Sequence, residues 1–217
     1  MFNVNRILPA PASLAAQRRY DGEDVYIALE QSFYKKCYIC ETKSPLDINV
    51  EHFIPHMGDI NKKFDWSNLY LVCSRCNNIK LAKYKNLLDC CNDSVWEKVK
   101  LLPGFSPGAK NFFIEAMVHD AATIETADLL NDVYNNDKTI NKRFTARSLR
   151  SDVVKITHRL TKLMTIYYDE NSTDAQRENS IEDIKVMIRR SYQYSAFNRW
   201  IIKDDAELDE LLSPFMD

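Results

Sequence analysis

Glycine is scarce in this chain of 217 residues, which has only Gly22, Gly58, Gly104 and Gly108. Neither a G-x-x-x-x-G-K phosphate loop nor a G-x-G-x-x-G turn can be assembled from them, so those two nucleotide motifs are excluded. Long apolar runs are missing too. No stretch approaches the ~18 residues of a membrane helix, and no membrane span or membrane partner is expected. The opening MFNVNRILPAPAS has no basic stretch followed by an apolar run, so no secretory leader is expected and the cytoplasm is the expected compartment. Excess positive charge is lacking as well. The formal net charge is -2, so no global basic field advertises nucleic acid. The apolar share of 45% is that of an ordinary globular protein rather than a disordered one.

What the chain does have is cysteine in a particular arrangement. There are six, too few for a disulfide scaffold at this length. Four fall into two C-x-x-C pairs, Cys37/Cys40 and Cys73/Cys76. In a reducing compartment two such pairs read as one metal site. Zinc takes four thiolates in a tetrahedron, and the two-residue gap lets both sulfurs of a knuckle reach one ion. A redox role is weaker, because no thioredoxin-like βαβ pattern accompanies the pairs. Cys90 and Cys91 are adjacent, lack the spacing, and read as buried small hydrophobes.

Periodicity places these pairs on elements. Residues 1–20 carry two prolines and no helical period, which suggests an extended arm. Asp21 to Tyr34 reads as a helix, with Val25, Leu29 and Phe33 on one stripe that Tyr26 and Ile27 broaden. Asp47 to Phe53 suggests a short strand ended by Pro55. A polar loop over 56–66 follows, then a partner strand over Leu69 to Val72. Ser74 is placed to cap a helix starting near Arg75, with Ile79, Leu81 and Ala82 on its apolar face. Pro103, Gly104, Pro107 and Gly108 mark a boundary, which divides the chain into regions 1–104 and 105–217. Asn111 to Val118 fits strand or helix. Helices are expected over Thr123 to Tyr134 (core Ile124, Leu129, Leu130, Val133), Thr145 to Tyr168 and Ile181 to Trp200, with a polar break at 169–180 and an acidic tail. The fold class expected is α+β, mostly α-helical, with a zinc-stapled ββα core and a helical C-terminal region.

Between the cysteine pairs lie residues suited to phosphodiester hydrolysis. That reaction needs a base for water and a cation for the charge on the leaving oxygen. His52 is the candidate base, since histidine titrates near neutral pH. Glu51 and Asn77 offer the hard oxygens that magnesium or manganese accepts. Using Glu51 beside His52 requires a strand end or twist, because neighbours in a strand point to opposite faces. Asn68 is placed to hydrogen-bond loop backbone or fix the imidazole. Lys80, one turn beyond Asn77, is placed to reach phosphate. His56 is favoured as a loop histidine over a phosphate contact, and Trp66 as core beneath the loop. The basic run Lys138, Lys142, Arg143, Arg147, Arg150, Lys155, Arg159 and Lys162 suits a solvated face, phosphate contacts or an acidic partner.

The succession C-x-x-C, E-H-F-x-P, W-S-N-L and C-x-x-C-N-x-x-K over residues 37–80 resembles the HNH (ββα-metal) endonucleases. The resemblance implies a metal-dependent nuclease acting on DNA or RNA. It assigns His52 as general base, Glu51 and Asn77 as ligands of Mg²⁺ or Mn²⁺, Asn68 as the middle asparagine of the motif, and the four cysteines as ligands of a structural Zn²⁺. Here the third motif letter is Asn77, and Glu51 stands where aspartate is more frequent. The E-H-F-x-P form, D-W-S-N-L, Leu87 to Asp89 and the late S-A-F-x-R at Ser195 to Arg199 are similar to PtuB-type HNH proteins of Septu and retron-linked antiviral systems. Ile54 and His56 depart from that pattern. The likeness implies a PtuA-type ATPase partner and a retron reverse transcriptase assembly as a further one. A zinc-ribbon binding subunit without catalysis, and an assembly subunit with a vestigial site, are the rival readings.

Overall fold

The structure, a computed structural model, describes residues 1–81, 83–106, 108–137 and 145–217. The N-terminal arm is largely extended, with one helical turn, Ala12–Ala15 (α1). It packs through buried Met1, Phe2, Val4 and Leu14. Glu23–Ser32 (α2) buries Val25 and Leu29, with Phe33 following. Tyr26 packs partly buried against the core and broadens that stripe, whereas Ile27 does not and is exposed.

Next come Ile48–His52 (β1), Ile60–Phe64 (α3), Leu69–Cys73 (β2) and Ser74–Lys80 (α4). Strands β1 and β2 pair antiparallel, with Ile48 opposite Cys73 and His52 opposite Leu69. The ββα unit is therefore present. Its connecting loop is not wholly irregular, because Asp59 accepts from the Asn61 amide at 2.9 Å and caps α3. Helix α4 starts at Ser74 rather than Arg75, and its N-cap is Cys73, whose sulfur accepts from the Cys76 amide. Leu81 lies past the helix end and is exposed. Ala82 and Pro107 lie outside the described residues.

A second sheet was not anticipated. Val95–Lys98 (α5) leads into Val99–Leu102 (β3), which pairs antiparallel with Phe113–Ala116 (β4). The undecided segment 111–118 thus contains a strand, over Phe113–Ala116. Only four residues long on each side, these strands carry too little periodicity to read alone.

Helices dominate the rest. Ala121–Asn135 (α6) buries Leu129, Leu130 and Val133, while Ile124 faces solvent. Ala146–Tyr168 (α7) buries Leu149, Val153 and Leu160. The segment expected as a polar break starts a helix instead, Asp174–Ile188 (α8). Its signal is a capping box: the Gln176 amide donates to Thr173 Oγ1, and the Thr173 amide donates to the Gln176 side chain at 2.8 Å. The helix expected to reach Trp200 is broken at Arg189. Ser195–Lys203 (α9) begins after Tyr194, which adopts a left-handed conformation at φ 57°. The break has a tertiary cause. Lys36 Nζ takes the Arg190 and Tyr192 carbonyls at 2.7 and 2.8 Å, and Arg199 Nε takes the Ile188 carbonyl at 2.6 Å. Ala206–Leu212 (α10) ends the chain's regular structure.

One hydrophobic cluster includes Val25, Tyr70, Leu101, Val133, Leu149, Phe197 and Trp200, so α9 packs into the same interior as the ββα unit. Trp200 Nε1 fastens it, donating to the Trp96 and Val99 carbonyls at 2.7 and 3.0 Å. A smaller cluster gathers Leu160, Ile184, Ile188, Ile202 and Leu208.

Lys36 is the polar counterpart of that apolar joint. Fully buried, it also pairs with buried Glu41 at 3.1 Å. Burial pushes the Glu41 carboxyl up, and the ammonium beside it outweighs this, holding it down at about 2. Lys36→Ala leaves that buried carboxylate with only the Met1 ammonium, 3.1 Å away, and frees two carbonyls. The expected loss is about 3–5 kcal/mol, read as a lower denaturant midpoint at unchanged slope.

Candidate active site and metal centre

The four cysteines converge. Cys37 and Cys40 sit on a tight strap held by the Glu41 amide donating to the Cys37 carbonyl at 2.9 Å. Cys73 closes β2 and Cys76 lies in the first turn of α4. All four sulfurs lie within 4.8 Å of one another, and all four residues are buried. Cys40 Sγ and Cys73 Sγ are 3.9 Å apart. A tetrahedron with Zn–S near ~2.3 Å has edges of about 3.8 Å, whereas a disulfide requires ~2.05 Å. The donor set and spacing fit a tetrahedral soft-ligand site. Burial pushes the Cys37 and Cys76 thiols well up, while hydrogen bonds from its neighbours outweigh burial and hold Cys40 well down; four thiolates packed this closely repel one another unless a cation lies among them.

Directly beside it, Glu51, His52, Asn77 and Lys80 line one open cleft of about 480 Å³, together with Tyr20 and His56. The strand ends at His52, which is how two adjacent residues both reach the cleft. His52 Nε2 lies 3.0 Å from the Lys63 carbonyl. A carbonyl only accepts, so Nε2 carries the proton and Nδ1 keeps a free lone pair. Tyr20 and His56 flank the ring at centroid distances of 4.5 and 4.7 Å. Burial pushes the imidazole below its usual value, the nearby His56, Lys63 and Lys80 charges push the same way, and the Lys63 carbonyl opposes them.

Glu51 is buried, and burial pushes its carboxyl above the usual range against the pull of Lys80 and Tyr38. Oε1 takes both neighbours: the Tyr38 hydroxyl donates to it and Lys80 Nζ lies 3.5 Å away. Oε2 has no hydrogen bond among the described residues, and neither does the Asn77 side chain. A carboxylate oxygen and an amide oxygen in one open cleft suit a hard divalent ion that keeps most of its waters.

Lys80 is 2% exposed. Its ammonium donates to the His52 and Phe53 carbonyls at 3.3 and 3.0 Å, facing the strand end and Glu51 rather than open solvent. Asn68 is a clamp. Its Oδ1 accepts from the Ile54 amide at 2.7 Å, and its Nδ2 donates to the Ile54 and Lys62 carbonyls at 2.9 and 3.0 Å. Those bonds hold both walls of the loop that presents the Lys63 carbonyl to His52. Asn68→Ala removes three bonds at once. We expect a loss of about 2–4 kcal/mol together with disordered His52 resonances in NMR, the latter absent if the loop is held by Trp66 alone.

Tyr38 and Tyr20 carry no motif signal of their own. Tyr38 is hidden between two cysteines, and Tyr20 comes from the arm. The basic run is partly consumed by structure. Arg150 is buried on the Ala109 and Tyr134 carbonyls, and Lys155 and Arg159 pair with Asp152 and Asp183. Lys138, Lys142 and Arg143 lie outside the described residues. Asp89, Cys90 and Cys91 also approach one another, yet Asp89 is engaged by the Tyr70 hydroxyl, the Cys91 amide and Asn92.

Residues 37–83 match the family model described as HNH endonuclease. The matched stretch spans the cysteine strap, both strands and α4, which is the unit that builds the cleft. This segment is similar to the HNH endonuclease domain, a likeness that supports a nuclease function. No curated protein matches the chain. Among the described residues no helix is long and apolar enough to cross a membrane.

Proposed function

We propose that the protein is an HNH endonuclease that hydrolyses phosphodiester bonds, with His52 as general base. The observation that carries this reading is the His52 ring, whose Nε2 is held by the Lys63 carbonyl so that Nδ1 keeps its lone pair, in the cleft that Glu51 and Asn77 also line. His52 Nδ1 takes a proton from water as its oxygen bonds to phosphorus and the P–O bond to the leaving oxygen breaks. Glu51 and Asn77 would hold a divalent cation, Mg²⁺ or Mn²⁺, which would supply Lewis-acid stabilisation of the leaving oxygen. Lys80 and Tyr38 position Glu51, and Asn68 positions the loop. The four cysteines hold Zn²⁺, which fixes the corner where β2 meets α4.

The helical half supports the nuclease unit and docks a partner. The reading extends to an effector of cytoplasmic antiviral defence, acting with a PtuA-type ATPase and, in one form, a retron assembly. It is supported by the likeness to PtuB-type proteins, whose late S-A-F-x-R stretch here seats α9. Ser195 Oγ donates to Glu41 at 3.1 Å and Arg199 Nη2 reaches Asp217 at 2.7 Å. The near-neutral charge also favours delivery to substrate by a partner. The test is cleavage of supercoiled plasmid and of single-stranded RNA with Mg²⁺ or Mn²⁺, by the chain alone and with any ATPase that copurifies. Absence of cleavage in every arm overturns the enzymatic reading in favour of a zinc-ribbon binding subunit.

A further inference from the structure

Several polar groups in the cleft are held by the protein itself. Lys80 is held by strand carbonyls, Glu51 Oε1 by Tyr38 and Lys80, and His52 Nε2 by the Lys63 carbonyl. His56 is different. The Gly58 amide donates to its Nδ1 at 3.1 Å, a contact made possible by a tight turn in which Met57 and Gly58 both take positive φ, 46° and 90°. With Nδ1 accepting, the neutral ring carries its proton on Nε2. Nε2 has no partner among the described residues, and the ring lines the same cleft, edge-on to His52 at 4.7 Å. The two imidazoles are thus set in complementary tautomers. One offers a lone pair at Nδ1, and the other offers an N–H at Nε2.

Resting on the nuclease reading above, we infer that His56 is a second substrate-contacting imidazole, whose Nε2–H donates a hydrogen bond to a non-bridging oxygen of the scissile phosphate. The proton stays on nitrogen throughout. The bond strengthens as charge builds on the phosphoryl oxygens during attack, so it acts on turnover more than on binding. A loop histidine kept only for packing would not need its amide-accepting turn, and would not leave its N–H without a partner among the described residues. Lys80, the cation expected to reach phosphate, is engaged elsewhere, so this N–H fills the place of a donor to the substrate.

Two variants separate the donor from the ring. His56→Phe keeps an aromatic face against His52 and removes the N–H. His56→Gln keeps an amide N–H at similar reach and removes the ring. Zinc content and melting temperature are measured alongside cleavage of plasmid and single-stranded RNA in Mg²⁺. The expected result is a fall in kcat of about 10- to 100-fold for His56→Phe with KM little changed, and recovery of at least tenfold over that variant in His56→Gln. Parent-like kcat in His56→Phe overturns the inference while leaving the nuclease reading intact. Equal losses in both variants with lowered melting temperatures also overturn it, since the ring would then be packing. If the parent chain cleaves neither polymer, the nuclease reading fails and takes this inference with it.

Discussion

Cys76→Ser is expected to abolish zinc binding and to unfold the ββα unit. The four thiols come from two places far apart in the chain, the strap at 37–40 and the strand–helix corner at 73–76, and all four are buried. Structural zinc sites of this kind contribute on the order of 10 kcal/mol. In a chain of this size each kcal/mol moves the melting temperature by about 2–4 °C, so the expected fall is about 20–40 °C, enough to make the variant insoluble. Metal analysis of the purified parent should give one zinc per chain, and a strong chelator should reproduce the variant's loss of melting temperature. A parent without zinc that melts unchanged in chelator would show the thiols to be ordinary core. Cys90→Ser, outside the tetrad, is the control that should retain its zinc.

His52→Ala is expected to lower cleavage about 10²- to 10⁴-fold, the usual contribution of a positioned general base, with zinc content unchanged. The stability effect should be small by comparison, since the ring is only half-buried and gives up one hydrogen bond. The pH dependence carries a sign. Burial and neighbouring cations lower the folded pKa of His52 below its ordinary value of about 6.5. The base form therefore persists at neutral pH, and the acid limb of kcat/KM should lie below pH 6.5. The same shift makes a stability statement. The contribution of neutral His52 is fully present above the unfolded pKa and is lost as pH falls through the folded one. Cleavage by His52→Ala at the parent's rate would remove the residue from the chemistry.

Much of the site is legible in the sequence because its signals are local. A C-x-x-C gap is a statement about two sulfurs on one turn, and E-H at a strand end followed by C-x-x-C-N on a helix start places side chains within a few residues of an element boundary. The helices α2, α6 and α7 were likewise visible through apolar periodicity. Errors fall where a distant group decides. The expected helix over 181–200 breaks because Lys36 and Arg199 capture the carbonyls of residues 188, 190 and 192. Ile27 and Ile124 look like core by spacing and are exposed, since periodicity alone does not say which side of a helix is covered.

By itself the sequence determined the class: an α+β chain with two thiol pairs bracketing an acid, an imidazole and an amide, with helices enough to surround them. Tertiary structure alone decided the states of those groups. The Lys63 carbonyl chose the tautomer of His52, the His52 and Phe53 carbonyls turned Lys80 inward, and a glycine turn at residue 58 oriented His56. Each depends on a hydrogen bond whose partner is a backbone atom. Backbone atoms are the same in every residue, so no side-chain pattern announces where they will lie.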